Sequence, residues 1–324
     1  MATNENHVAL NQRELFLNAL QNIKIDQYQQ EWKKQQAQDE KRPPPATEFE
    51  RELLKPENMA TNRYDEIPCN DFNRVTLNGN KYIHGNFIKG ANGQKLAIAT
   101  QGPLKTTIYD FWSMAIQEKS PAVVMLCKCN EDKEKCTGYW PTATNFPTRT
   151  KNYTIYADSI QEIIFIIEGK PERIIKTHIR ITDRYGKQAV HKMVHYQYVD
   201  WEDHAVPTST RPLMHLYKQY ILPQMKKEGG PIIVHCSAGI GRTGVFVGAL
   251  YMLDLFLHNR LVSMSLALSS LRHQRGKAVQ GLKQYTFLHI LLFELIEHST
   301  GKDLKTLKER FEKILLKIKS NVKK

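Results

Sequence analysis

Short apolar runs alternate with amphipathic segments along most of the chain, which is the pattern of a mixed α/β domain. The apolar runs are bounded by turn residues and are rich in β-branched side chains, as strands are. They predict strands at residues 95–100, 122–127, 163–167, 174–182, 189–198 and 231–235. Apolar positions at three- and four-residue spacing predict helices at residues 107–119, 211–227, 243–258, 263–274 and 283–298.

The two ends of the chain differ in pattern from the middle. Residues 1–47 predict a polar, helical N-terminal extension that stops at the prolines of residues 43–45. Residues 299–324 predict a basic amphipathic C-terminal helix, and residues 48–298 form the predicted main domain. The apolar residues of the extension are Phe16, Leu20, Ile23 and Tyr28, and those of a short helix after the prolines are Phe49, Leu53 and Leu54.

Both ends are expected to pack on the main domain. The apolar stripe of the C-terminal helix consists of Leu304, Leu307, Phe311, Ile314 and Ile318. A separate partner-binding arm is the alternative for the N-terminal extension. For the basic C-terminal helix, the alternative is contact with a membrane surface or a partner protein.

Composition narrows the partners and the chemistry. The chain has 46 basic and 33 acidic residues, and this net charge of +13 favours phosphorylated proteins, acidic membrane surfaces or nucleic acid. The positive charge is the single feature that favours nucleic acid, so we do not expect the chain to bind nucleic acid. The sequence shows neither a secretory signal nor an apolar stretch of about 20 residues, which predicts a cytoplasmic protein, with a nuclear location as the alternative.

The five cysteines do not suggest a disulfide framework in such a protein. Cys127, Cys129 and Cys136 are poorly spaced for zinc. We therefore predict neither a metal nor a cofactor.

A run of small residues connects the predicted strand that ends at His235 to the predicted helix that begins near Thr243. Its glycines allow successive backbone N–H groups to curl around one centre, and the following helix adds its positive end. This anion cradle also favours the thiolate form of Cys236, a candidate nucleophile. Arg242, six positions later, can bind two phosphate oxygens at once. The backbone predicted to bind phosphate is that of Ser237, Ala238, Gly239, Ile240 and Gly241.

This run, called the signature loop below (residues 236–241), resembles the signature loop of the tyrosine-specific protein phosphatases. Other stretches match that family in the same order, from about Glu48 to Leu295. They are Asn62-Arg63-Tyr64, Thr100-Gln101-Gly102-Pro103, Asp110-Phe111-Trp112, Lys135-Cys136, Tyr139-Trp140-Pro141, Trp201-Glu202-Asp203, and Gln280 with Gln284. The resemblance is to a single catalytic domain of the non-receptor type.

The resemblance implies an α/β fold, namely a highly twisted mixed β-sheet flanked by helices on both sides. It implies that the chain hydrolyses phosphotyrosine in proteins through a phosphocysteine intermediate. Cys236 would be the nucleophile, Arg242 the phosphate clamp, and Asp203 first the general acid and then the general base. Gln280 would position the attacking water with help from Gln284.

The same resemblance suggests roles around this centre. Tyr64 would stack on the substrate ring. Glu66 occupies the position at which the family often has an aspartate that binds the substrate backbone. Thr243 would help the sulfur to leave, and His235 would bond to nearby backbone. Trp201 belongs to the stretch that resembles the family's mobile loop carrying the general acid, called the acid loop below. Glu131, or its competitor Glu134, would be the partner of Arg242. Arg275 is expected to contact the substrate.

The acid loop departs from the family pattern. Glu202 replaces the usual proline, which removes a backbone restraint and places a carboxylate beside Asp203. Ala205 replaces the usual glycine. A weakly active or inactive phosphotyrosine-binding module is therefore the alternative function.

Overall fold

The computed structural model describes residues 11–40, 52–131, 134–225 and 229–321, and in these ranges it contains a nine-stranded sheet. The strands are β1 (Arg74–Leu77), β2 (Lys81–Lys89), β3 (Lys95–Thr100), β4 (Ala122–Met125), β5 (Thr148–Arg149), β6 (Tyr153–Ile167), β7 (Lys170–Asp183), β8 (Ala189–Tyr198) and β9 (Ile232–His235). Their order in the sheet is β1-β2-β3-β9-β4-β8-β7-β6-β5. Both parallel and antiparallel neighbours occur in this order, so the sheet is mixed, as the resemblance implied.

Helices pack around this sheet. They are α1 (Gln12–Gln21), α2 (Ile25–Glu40), α3 (Pro56–Met59), α4 (Ile108–Gln117), α5 (Arg211–Leu216), α6 (Leu222–Met225), α7 (Arg242–Leu257), α8 (Met264–Gln274), α9 (Leu282–Thr300) and α10 (Lys305–Asn321). A π-helical turn, Tyr217–Ile221, joins α5 to α6, so the single helix predicted there is interrupted. None of the helices in the described ranges combines the length and the apolar character that crossing a bilayer requires.

The centre of the sheet determines where the signature loop lies. Strands β3, β9, β4 and β8 run parallel to one another, and every residue of β4 and β9 is buried. Strands covered on both faces read as continuous apolar runs, which is why this part of the sheet was predictable. The carboxyl end of β9 leads into the signature loop, and α7 returns behind it.

The described parts of both terminal segments, residues 11–40 and 299–321, pack on the main domain. Tyr28 of α2 is buried and stacks on Tyr285 of α9, with ring centroids 5.6 Å apart. Phe311 of α10 stacks on His289 of α9 at 4.5 Å. The other residues of the predicted stripe are also buried, namely Leu304 just before α10 and Leu307, Ile314 and Ile318 within it, so this apolar face is covered by the protein and is not presented to a membrane surface.

The segment between α2 and the sheet was predicted less well. Residues 43–45, Phe49 and the predicted boundary at residues 47 and 48 lie outside the described residues. In the described part of this segment, from residue 52 to residue 70, the α-helix is Pro56–Met59. Leu53 is buried but Leu54 is 47% exposed, so the two do not share one packed face.

The strands at the start of the sheet and the hairpin of β6 and β7 differ most from prediction. Strands β1 and β2 were missed because β2 carries Gly85 and polar residues in its interior, which interrupt the apolar pattern. Strand β6 begins ten residues before the predicted strand. The Glu168-Gly169 turn, with both φ angles positive, closes the hairpin.

Candidate active site

The signature loop presents a ring of backbone N–H groups because its carbonyls are bonded on the outside. A trans peptide unit directs the C=O of one residue and the N–H of the next to opposite sides. Each carbonyl from position 236 to position 240 accepts a hydrogen bond from surrounding structure. The N–H groups of the following residues are therefore directed inward, and these residues are Ser237, Ala238, Gly239, Ile240 and Gly241.

The outer bonds of the loop come from three parts of the fold. Gly102 N donates to the carbonyl of Ser237 at 2.7 Å, and Val279 N donates to that of Ile240 at 2.8 Å. The guanidinium of Arg275 supplies two more donors, to the carbonyls of Ala238 and Gly239, at 3.0 and 3.1 Å. The structure thus corrects one expectation, because Arg275 is fully buried behind the loop and does not face the substrate.

His84 provides an acceptor for Arg275. His84 Nε2 bonds to the carbonyl of Ile67 at 3.1 Å and must donate, so Nδ1 is the acceptor for two guanidinium nitrogens of Arg275, each at 3.3 Å. Burial and the neighbouring Arg275 lower the pKa of His84 to about 3, which fits a neutral ring. Among the described residues, no hydrogen-bond or ion-pair partner of Arg275 is a carboxylate.

Close packing explains the glycines of the loop. Gly239 has φ of 71°, and a Cβ atom there would lie 2.0 Å from the carbonyl oxygen of Thr100. A Cβ atom on Gly241 would lie 2.4 Å from Oε1 of Gln280. A larger residue at Gly239 would push the loop away from the backbone of Thr100, whereas one at Gly241 would have to displace the side chain of Gln280.

Cys236 lies at the base of this cradle, directly after β9, and is 4% exposed. The preceding His235 was expected to bond to nearby backbone, and its Nδ1 donates to the carbonyl of Cys236 at 2.9 Å. Burial lowers the pKa of His235 to about 4, so the ring is neutral. Its Nε2 then accepts from the hydroxyl of Tyr139 at 2.7 Å, and that hydroxyl accepts from His195 Nε2 at 2.7 Å.

Arg242 reaches over the loop from the first turn of α7. It forms a bidentate pair with Glu131, at 2.6 and 3.2 Å, and donates to the carbonyl of Trp201 at 2.8 Å. Glu134 instead accepts from Thr137 Oγ1 at 2.8 Å, so Glu131 is the partner of Arg242. Burial lowers the pKa of Arg242, but the charges of Cys236 and Glu131 outweigh burial and raise it overall.

Two buried polar atoms at the loop have no hydrogen-bond partner among the described residues. They are Nε of Arg242 and Oγ1 of Thr243. Buried polar groups without a partner are costly, and both lie at the start of α7, beside the inward N–H groups. A bound anion or a sulfur anion would satisfy them.

Asp203 lies close to this centre rather than in open solvent. Its carboxylate accepts from Arg242 Nη2 at 3.1 Å and from Lys135 Nζ at 2.5 Å. Burial raises the pKa of Asp203, but Lys135, Arg242 and His204 outweigh burial and lower it overall. The role of Lys135 was missed, although its Lys-Cys motif was recognised in the sequence.

Hydrogen bonds within the acid loop, residues 201–205, hold its turn at the place where the family usually has a proline. The indole N–H of Trp201 donates to the carbonyl of Ala205 at 3.1 Å, and Ala205 N donates to the carbonyl of Glu202 at 3.3 Å. His204 adopts a positive φ of 53° within this turn. The turn therefore forms without the proline restraint.

The opposite wall carries Tyr64. Ser237 Oγ donates to the carbonyl of Lys135 at 2.9 Å, so it accepts from the hydroxyl of Tyr64, 2.8 Å away. This bond connects the half-buried Tyr64 to the rim of the signature loop. Glu66 is exposed nearby, and its carbonyl accepts from Lys277 Nζ at 2.7 Å, which places an unpredicted lysine at the rim.

Gln280 and Gln284 lie together on the far side of the loop. Gln284 is buried and accepts from the backbone N–H of Gln280 at 3.0 Å, whereas Gln280 is exposed. The preceding Val279 has φ of 63°, which is strained for a β-branched residue. Arg272 donates to its carbonyl at 2.6 Å and so helps to stabilise this conformation.

Comparison with known proteins identifies the family. The family model described as protein-tyrosine phosphatase matches residues 58–294. Mouse receptor-type tyrosine-protein phosphatase R is 35% identical over 255 residues, which cover 75% of this chain but only 37% of that protein. Mouse tyrosine-protein phosphatase non-receptor type 7 is 33% identical over 267 residues, which cover 76% of this chain and 70% of the relative.

Solved structures are similar over most of the chain. The catalytic domain of human protein tyrosine phosphatase non-receptor type 18 superposes with a TM-score of 0.71 and 27% identity, covering 88% of this chain and 96% of that one. A structure of type 18 in complex with HER2 phosphopeptides has a TM-score of 0.73 and 28% identity, covering 83% and 99%. Since the family model spans well over half of the sequence, this chain belongs to the protein-tyrosine phosphatase family.

Proposed function

We propose that this chain hydrolyses phosphotyrosine in proteins through a phosphocysteine intermediate. The observation that carries the proposal is the convergence of Cys236, Arg242 and Asp203 on one cradle of inward N–H groups. Its support is geometric, since Arg242 Nη2, in the first turn of α7, lies 3.1 Å from Oδ1 of Asp203 in the acid loop. The relatives named as tyrosine-protein phosphatases support the same reaction class.

In the first step, the thiolate of Cys236 attacks phosphorus and the bond from phosphorus to the phenolic oxygen breaks. Protonated Asp203 gives its proton to that oxygen, so tyrosine leaves as the neutral phenol. Arg242 and the inward N–H groups stabilise the charge on the equatorial oxygens of the transition state. Tyr64, at the rim of the cradle, is the group that would contact the substrate ring.

In the second step, water attacks phosphorus and the bond from phosphorus to sulfur breaks. Ionised Asp203 accepts the proton of that water, and the thiolate of Cys236 is restored with release of inorganic phosphate. Thr243 Oγ1, which is buried and lacks a partner in the described structure, would donate to the departing sulfur. Gln280 would hold the water.

Substrate binding would set the protonation state of Asp203. In this structure Asp203 is held ionised by Lys135 and Arg242. A phosphate dianion on Arg242 competes with Asp203 for the same guanidinium and adds a like charge, so binding would raise the pKa of Asp203. The enzyme would thus acquire its general acid when the substrate arrives.

Turnover of a phosphotyrosine peptide tests the proposal. We expect Cys236→Ser to lose about 10⁴-fold or more in kcat while it still binds the peptide. Cys129→Ser is the matched control, since Cys129 is a half-buried thiol outside the loop, and it should retain activity. Mass spectrometry of the rapidly quenched enzyme should locate the phosphoryl group on Cys236.

The second candidate function is capture of phosphotyrosine without turnover. It is favoured by Glu202 in the proline position and by the ion pairs that hold Asp203 ionised. Wild-type protein that binds the phosphopeptide but releases no phosphate at any pH between about 5 and 8 would select it. For either function, tyrosine-phosphorylated proteins in the cytoplasm or nucleus are the proposed partners.

A further inference from the structure

The start of the acid loop is anchored on strand β7. Strand β8 ends at Tyr198, three residues before Trp201. The pairing of β7 with β8 reaches Tyr198, so Glu172 and Arg173 of β7 lie beside the chain as it leaves the sheet. The first contact there is a backbone bond, since Val199 N donates to the carbonyl of Arg173 at 3.0 Å.

Arg173 holds Asp200 by three hydrogen bonds. The backbone N and the Nε of Arg173 both donate to Oδ2 of Asp200 at 2.9 Å, and Nη2 donates to Oδ1 at 2.7 Å. The side chain of Asp200 is 18% exposed. A single surface ion pair contributes little, but a bidentate guanidinium with a backbone donor fixes the direction of a carboxylate as well as its distance.

Glu172 holds the residue at the end of β8. Its buried carboxylate accepts a hydrogen bond from the hydroxyl of Tyr198. The ring of Tyr198 is also buried and lies 6.1 Å from the ring of Trp201, measured between centroids. Two neighbouring residues of β7 therefore fix three consecutive residues, 198 to 200, directly before the acid loop.

This anchor precedes a loop that lacks the usual backbone restraint. Glu202 stands where the family usually has a proline, and it is exposed. The side chain of Asp203 is held by Lys135 and Arg242. In the proposed reaction the substrate phosphate takes Arg242 away from Asp203, so the position of Asp203 then depends more on the backbone of the acid loop.

Trp201 connects the anchor to the acid. It directly follows Asp200, and its carbonyl accepts from Arg242 Nη1 at 2.8 Å. Its indole N–H closes the turn of the acid loop by donating to the carbonyl of Ala205. A displacement at residue 200 would therefore be passed to Asp203 through Trp201.

We propose that Glu172 and Arg173 are positioning residues for Asp203, and that they supply the restraint that a proline at position 202 would give. They act through the backbone of residues 198–201 rather than on the substrate. This inference rests on the proposed function, because Asp203 is a general acid only in that reaction.

The variants Arg173→Gln and Asp200→Asn test the ion pair. In each variant kcat with phenyl phosphate should fall about tenfold, since a small displacement of the acid is costly. With p-nitrophenyl phosphate, whose leaving group needs the proton less, the loss should stay below about threefold. Inhibition by inorganic phosphate should not change, because the signature loop is untouched. The double variant should lose no more than either single variant, because the two residues act as one unit.

The contact of Glu172 is tested by a conservative pair of variants. Glu172→Gln keeps an oxygen that accepts from Tyr198, whereas Glu172→Leu removes it. The leucine variant should therefore show the larger loss with phenyl phosphate, and equal losses would remove Glu172 from this role.

Arg180→Gln is the matched control. Arg180 lies seven residues further along β7 and pairs with Asp158, its Nε 2.9 Å from Oδ1. This variant should keep the activity of the wild type with both esters.

A proline at position 202 tests whether the anchor replaces that restraint. The loss caused by Arg173→Gln should shrink to below about threefold when it is measured in a Glu202→Pro background. The same loss in both backgrounds would show that the two restraints are unrelated.

Hydrogen exchange separates this inference from the proposed function, because it needs no turnover. In Arg173→Gln the amides of residues 199–205 should exchange about tenfold faster than in the wild type, while those of residues 236–241 stay unchanged. A wild type that releases no phosphate would contradict the proposed function, and exchange would still report on the anchor. Unchanged exchange at residues 199–205, equal losses with the two esters, or a double variant whose loss is the product of the two single losses would overturn the positioning role.

Discussion

The two halves of the candidate active site are built by different means. The signature loop is held by bonds from the fold around it, and Arg242, which covers it, is 1% exposed. The acid loop presents Asp203, whose side chain is 22% exposed and whose hydrogen bonds from other parts of the fold come from the charged side chains of Lys135 and Arg242. The phosphate-binding half is prebuilt, whereas the proton-transfer half depends on charge pairs that the substrate must rearrange.

The comparison predicts that damage to the prebuilt half is the more severe. Arg242→Lys should lower kcat/KM about 10³-fold, because lysine cannot bind two phosphate oxygens and Glu131 together. Steady-state turnover of a phosphotyrosine peptide measures the effect, with Arg211→Lys on α5 as a matched control. Retention of more than a tenth of wild-type activity would contradict the role of the guanidinium.

Asp203→Asn should lower kcat by about 10²-fold with phenyl phosphate as the substrate, because the phenolate then leaves without a proton. The loss should be smaller with p-nitrophenyl phosphate, whose leaving group is less basic. Glu202→Gln, at the adjacent exposed carboxylate, is the matched control and should stay near the wild type. An equal loss for both substrates would show that Asp203 is not the general acid.

Arg275→Met tests the supports behind the loop. It removes the donors to the carbonyls of Ala238 and Gly239, so the affinity for inorganic phosphate should fall about tenfold. Inhibition of turnover by phosphate measures this affinity, and thermal unfolding reports whether the fold persists. Arg275→Lys should restore part of the affinity, and unchanged phosphate inhibition in a folded Met variant would remove Arg275 from this role.

The smallest effect concerns the charge pair of the acid loop. Burial raises the pKa of Asp203, and Lys135 is among the groups that lower it. Lys135→Met removes a lowering contribution, so the pKa rises and Asp203 stays protonated to higher pH. Because the protonated form is the general acid, the alkaline limb of kcat/KM should move to higher pH.

A pH–rate profile of this variant beside Lys105→Met, an exposed lysine outside the site, checks the direction. A limb that stays in place or moves to lower pH would show that Lys135 does not tune the acid.

Local pattern determined the elements that bury a continuous or periodic apolar face. Strands β3 and β8 were predicted with the bounds that the structure has, and α8 and α9 nearly so. Strand β6 was underestimated because the missed part contains Asp158, Ser159, Gln161 and Glu162 in its exposed stretch, so no apolar pattern there predicts a strand.

The sequence by itself also determined the signature loop. A glycine-rich run between a buried strand and a helix has few conformations in which its buried N–H and C=O groups all have hydrogen-bond partners. Only the tertiary structure decided which groups support it. Gly102, Val279 and Arg275 lie far from the loop along the chain, and the choice of Glu131 over Glu134 depends on which carboxylate reaches Arg242. Such contacts depend on how separate elements pack, and local spacing carries no record of that.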